Sequence, residues 1–128
     1  MDRHSAREKA FQVLFQIDIN EGDPITTLDT VLEGKDNDEF LHQLVTGVVD
    51  HKEDIDKIIE MSLENWKLKR IASVEKTALR IATYEMKFMD DIPINVSINE
   101  AIELTNKYGE EKSGKFINGV LSKINENL

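Results

Sequence analysis

From Ser73 to Met89 the chain runs without a proline or glycine, and Val74, Ala78, Ile81, Ala82 and Met89 return to one side at helical spacing. A stretch of that kind reads as an amphipathic helix, and Asp90-Asp91-Ile92-Pro93 stops it. The same period recurs in Ala6, Ala10, Val13, Leu14 and Ile17, and in Phe40, Leu41, Leu44, Val45 and Val48. It returns in Ile55, Ile58, Ile59 and Leu63, and again in Ile117, Val120, Leu121, Ile124 and Leu128. With 6 glycines and 2 prolines in 128 residues, there is too little punctuation for a sheet of many short strands. The expected fold class is all-α, a compact bundle of about seven helices around one hydrophobic core.

Local signals place the boundaries. Gly22-Asp23-Pro24 ends the first helix and opens a turn, with a short helix from about Thr27 to Glu33. Gly34 to Asp38 reads as loop, Asp38 is placed to cap the next helix, and Gly47 marks a close helix approach. A mixed linker with Trp66, Leu68 and Ile71 joins the halves, so the single domain over 1–128 divides at most into sub-bundles 1–65 and 66–128. Ser97-Ile98-Asn99-Glu100 has capping-box spacing, Gly109 closes that helix after Tyr108, and the last helix opens near Ser113.

Several function classes drop out. The absence of cysteine excludes disulfides, zinc–thiolate sites and cysteine nucleophiles, and His4, His42 and His51 form no ligand-spaced motif. The apolar runs are too short to span a bilayer, and Met1-Asp2-Arg3-His4-Ser5 leads into an amphipathic pattern rather than an apolar leader core, so a cytoplasmic protein is expected. The net charge of −9 is unevenly spread: residues 1–16 and 67–128 each carry +1, whereas residues 17–66 carry −11. An acidic middle suits either a basic protein partner or plain solvation.

Arg7, Phe11 and Phe15 follow at i, i+4 and i+8 along one flank of the first helix, one turn after Arg3. Cations beside flat rings are what single-stranded RNA requires, though phenylalanines at this spacing also read as core. On the helix from Ser73, Glu85 falls inside the apolar stripe, where a carboxylate calls for a buried ion pair or hydrogen bond. No second carboxylate or base stands at a useful spacing for acid–base catalysis. Lys76, Arg80 and Lys87 form a basic stripe on the far face, open to solvent or phosphate, with Glu75 beside it. Gly109 to Phe116 nearly matches a phosphate-binding loop, but Phe116 stands where the magnesium-holding hydroxyl belongs, and the segment follows a helix rather than a strand. Ser113, Gly114 and Lys115 still open a helix, whose free N–H groups favour an anion.

Four segments together resemble the NusB family. They are Ala6-Arg7-Glu8-Lys9-Ala10 with Gln12, Leu14 and Phe15; Ser73 to Met86; Ile92 to Leu104; and Lys115-Phe116-Ile117-Asn118-Gly119-Val120-Leu121. The resemblance covers essentially the whole chain. It implies a non-catalytic, cofactor-free transcription antitermination factor that binds boxA RNA with NusE, a small-subunit ribosomal protein, within the RNA polymerase antitermination complex. It implies RNA contacts at Arg3, His4, Arg7, Phe15, Arg80, Lys112, Ser113, Lys115 and Phe116, and a NusE contact at Glu75. The chain has Arg3-His4-Ser5 where some relatives carry a run of arginines, and Lys112 where relatives are acidic. The first difference predicts weaker RNA binding by the protein alone and a shallower salt dependence. On this reading the first helix and the approach to the last one fold side by side into one cationic shelf. The protein is a monomer or homodimer. Other readings are a self-associating helical protein and a stand-alone relative of the NusB-like domain of ribosomal RNA methyltransferases.

Overall fold

In the computed structural model, which describes residues 1–32, 38–64, 67–110 and 112–128, the first helix is α1 (Arg3–Asn20). Asp2 caps it, accepting a hydrogen bond from the Ser5 N–H at 2.7 Å. Glu21 ends it in the left-handed region, with φ 53°, and returns its N–H to the Ile17 carbonyl. α2 (Pro24–Leu32) begins three residues earlier than the spacing suggests. Proline needs no hydrogen-bond partner for its nitrogen in a first turn, and the Asp23 carboxylate accepts from the Thr26 N–H at 2.9 Å. The expected end at Glu33, the loop from Gly34 to Asn37, and Trp66 lie outside the described residues.

α3 (Glu39–Asp50) opens as expected on Asp38, which accepts from the Leu41 N–H at 3.1 Å. α4 (Lys52–Met61) follows almost directly, and a short 3-10 turn, Leu68–Arg70, leads to α5 (Ser73–Phe88). α6 (Ile94–Tyr108) and α7 (Ser113–Asn127) complete an all-helical chain with no strand among the described residues. The capping box is a misreading. Pro93 opens α6 four residues earlier, and Ser97 lies buried inside the helix, its hydroxyl donating to Glu85 Oε1 at 2.8 Å.

α5 is the axis of the bundle. It packs against α1, α3, α4, α6 and α7, and every residue from Thr77 to Met86 is buried. Gly47 permits the close α3–α5 crossing: a β-carbon there would overlap the ring of Tyr84. The buried apolar side chains of all seven helices form one cluster. No helix among the described residues is long and apolar enough to cross a membrane.

Candidate nucleic-acid interface

A guanidinium entering this core must bring a counter-charge with it. Arg7, 3% exposed, donates from Nε to Glu85 Oε2 at 2.8 Å and from Nη2 to Oε1 at 2.9 Å. Glu85 is only 1% exposed and also accepts from the Ser97 hydroxyl, so the carboxylate expected to need a partner is indeed paired. Its partner corrects another expectation. Arg7 is buried rather than displayed at the surface, and it locks α1 to α5 from inside. Arg80 is corrected in the same way. Its Nε and Nη2 donate to Asp56 at 2.8 and 3.0 Å, and its Nη1 donates to Asp18 at 3.0 Å, so it clamps α1 and α4 onto α5. A helix surrounded by five neighbours has no solvated far face at its middle.

Asp18 also accepts from the Ser73 hydroxyl at 3.0 Å and lies 3.8 Å from Lys76 Nζ. Burial by itself would raise its carboxyl. The hydrogen bonds from Arg80 and Ser73, reinforced by Lys76, outweigh that and hold it below the ordinary value. Neither Asp18 nor Asp56 stands out in the sequence, where both read as ordinary members of an acidic segment.

Of the remaining candidates, Arg3 and His4 lie where the start of α1 meets α6, and Lys112, Ser113, Lys115 and Phe116 lie around the start of α7, beside the 3-10 turn and the start of α5. Arg3 is exposed, 3.3 Å from Asp91, with its guanidinium 4.6 Å from the Phe40 ring centre. His4 is exposed and its Nδ1 lies 2.8 Å from Glu100 Oε2. The hydrogen bond to Glu100 and then the charge of that residue raise the imidazole above its ordinary value. Farther along, Phe15 is half-buried and stacks on buried Phe11 at 5.8 Å, and Phe11 stacks on Tyr108 at 4.7 Å. The aromatic flank is therefore part core and part surface.

Beyond Tyr108, Lys112 and Lys115 are exposed, Ser113 is buried and Phe116 is half-buried. The Ser113 hydroxyl donates to Glu75 Oε1, whereas Glu75 Oε2 is buried without a partner among the described atoms. Glu75, Arg70, Lys112, Ser113 and Phe116 line an open cleft of about 280 Å³. The two halves of the expected cationic shelf are set apart along α6. α1 and α7 pack on α5 from separate positions, and the start of α1 lies beside Glu100 while Ser113 follows the far end of α6. From Glu100 to Tyr108 the helix rises about 12 Å. The candidates thus fall into two groups, one at the start of α1 and one at the start of α7.

Fold and edge together define the class: an all-helical bundle with internal charge pairs and a rim of mixed charge and aromatic rings. The NusB family profile matches residues 4–126, and the chain belongs to that family. It is 59% identical to the transcription antitermination protein NusB of Oceanobacillus iheyensis, over 97% of this chain and 98% of that one. To the same-named protein of Geobacillus kaustophilus it is 55% identical, over 97% and 95%. Among solved structures, T. maritima NusB is 38% identical with a TM-score of 0.91, covering 98% of this chain and 92% of that one. A chain from a crystal structure of antitermination factors NusB and NusE in complex with dsRNA is 34% identical with a TM-score of 0.89, covering 98% and 97%.

Proposed function

We propose that this protein is a transcription antitermination factor that binds boxA-type RNA together with NusE and makes RNA polymerase resist termination, notably on ribosomal RNA operons. The observation that carries the reading is the full-length likeness to a chain solved with NusE and double-stranded RNA. The protein works in the cytoplasm as one domain over 1–128, by binding rather than catalysis. RNA passes the α1–α6 edge, where Arg3 and His4 meet it, and reaches the start of α7, where Lys112, Ser113, Lys115 and Phe116 meet it; Phe15 offers a ring farther along α1. Arg7 and Arg80 hold the edge in place without touching the nucleotide. Glu75 Oε2, buried and lacking a hydrogen-bond donor, suits a basic side chain of NusE.

The test is the affinity of boxA RNA, followed by fluorescence anisotropy, with and without NusE. NusE should raise the affinity of the native protein, and a Lys112→Ala, Lys115→Ala variant should lose a large part of that gain. Equal affinity with and without NusE, or an unaffected variant, defeats the assignment.

A further inference from the structure

The edge assigned to RNA carries carboxylates where a phosphate backbone would pass. Glu8, Glu100 and Glu103 surround His4. Its Nδ1 lies 2.8 Å from Glu100 Oε2 and 3.5 Å from Glu103 Oε2, and its Nε2 lies 3.2 Å from Glu8 Oε1. Nearby cations do not cancel this charge. Lys107 Nζ is held 2.7 Å from Glu8 Oε2, while Arg7 is forked onto Glu85 and approaches only the other oxygen of Glu100, at 3.6 Å. Among the described residues, His4 is the one basic group within 4 Å of the Glu103 carboxylate, which is 61% exposed.

The spacing has a second property. One ligand atom each from His4, Glu100 and Glu103 lies within 4.8 Å of the other two. Two ligands about 2.0–2.2 Å from a shared ion stand at most about 4.4 Å apart, so small rotations of exposed side chains bring all three into coordination. Helix geometry supplies the convergence: Glu100 and Glu103 share a face of α6 at i, i+3, and α1 brings His4 against it. Glu8 completes the arrangement. Its Oε1 lies 3.2 Å from Nε2, so when a metal displaces the proton that Nδ1 shares with Glu100, Glu8 is placed to take the Nε2 proton and hold the ring, as carboxylates do for metal-bound imidazoles elsewhere.

We propose that His4 Nδ1 with the Glu100 and Glu103 carboxylates forms a site for a divalent transition metal of the zinc type, with an open position that takes a phosphate oxygen of bound RNA. One imidazole nitrogen and two carboxylates favour zinc over magnesium, which prefers oxygen ligands and water. Two carboxylates balance the charge of the ion, which converts the patch from one that repels phosphate to one that binds it. The phosphate role rests on the RNA reading above; the ion site does not.

Cobalt(II) titrated into the full chain and read by its visible absorption tests the site, with zinc as competitor. One saturable site per chain is expected. His4→Ala should abolish it, and Glu8→Gln should weaken it by about tenfold. Both variants should keep the native far-ultraviolet circular dichroism, since His4 is exposed and glutamine at position 8 fills the space of the half-buried Glu8. An absent saturable signal, or the same signal from native protein and His4→Ala, overturns the site. In a second arm, zinc should raise the affinity of the NusE-bound native protein for boxA RNA and leave that of His4→Ala unchanged. Zinc-independent RNA affinity overturns the phosphate role. If RNA binds in neither condition, the antitermination reading fails instead, and the cobalt titration still decides the ion site.

Discussion

Replacing Glu85 with glutamine changes one oxygen to an amide and removes one charge, yet it should be among the most damaging substitutions in the chain. In the native protein Glu85 accepts from Arg7 Nε, Arg7 Nη2 and the Ser97 hydroxyl, and both partners of the ion pair are almost wholly buried. Glutamine offers one acceptor oxygen where the carboxylate offered two, and its NH₂ faces the donors of Arg7. The guanidinium then stays inside the core with Glu100, at 3.6 Å, as its remaining counter-charge. Breaking a buried pair from one side costs about 3–5 kcal/mol. At about 3 °C per kcal/mol for a chain of this length, the loss in Tm is about 9–15 °C.

Urea unfolding followed by circular dichroism measures the effect, with the denaturant slope unchanged if both states keep their compactness. The informative comparison is Glu85→Leu combined with Arg7→Met. Removing both charges leaves no orphan, so most of the lost stability should return, whereas Arg7→Met alone should be about as harmful as Glu85→Gln. A cost below about 1 kcal/mol for Glu85→Gln, or a double variant no better than either single one, would refute the account. The cycle also bears on RNA binding, because a loss of affinity on removing Arg7 then reports a damaged fold rather than a missing bond to phosphate.

Three further outcomes are expected. Gly47→Ala should cost about 1–3 kcal/mol in urea unfolding, because the added methyl meets the Tyr84 ring at the α3–α5 crossing. Asp18 has a depressed carboxyl, so its contribution is complete above its unfolded pKa and is lost as pH falls through the lower folded value. Asp18→Asn should therefore destabilise the protein at neutral pH and flatten acid unfolding; unchanged acid sensitivity would show that the Arg80 clamp is irrelevant to it. Lys112→Ala with Lys115→Ala should leave stability within about 0.5 kcal/mol per site and reduce the salt slope of RNA binding by about 0.7 for each phosphate no longer neutralised.

Sequence patterning performed well where the cause lay within one turn and poorly where it lay across the fold. Asp38 caps α3 because its carboxylate reaches the Leu41 N–H three residues on, which spacing alone foretells. Gly47 was legible as a close approach, but that its neighbour is Tyr84 depends on how α3 crosses α5. Glu85 was legible as a carboxylate needing a partner, yet that partner stands 78 residues away. A helical wheel drawn for α5 assumes one buried side, and it assigns Arg80 to solvent because nothing local says that a helix will be enclosed on every side. The capping-box pattern misleads for a related reason, since Ser97 uses its hydroxyl on Glu85 and Pro93 sets the helix start.

These misreadings have a common physical consequence. Two of the arginines that sequence places on the nucleotide surface are consumed inside the bundle, and His4 stands among carboxylates. The exposed candidates are then Arg3, itself near Asp91, with Lys112 and Lys115 at the far end of α6. Three neutralised phosphates would give a salt slope of only about −2 on a single strand, and a weak electrostatic term means modest affinity for RNA alone. A protein built this way needs a second contributor of positive charge for tight binding. A basic protein partner seated beside Glu75 supplies it without adding cations to this chain, and an ion held by His4, Glu100 and Glu103 would supply it where the start of α1 meets α6.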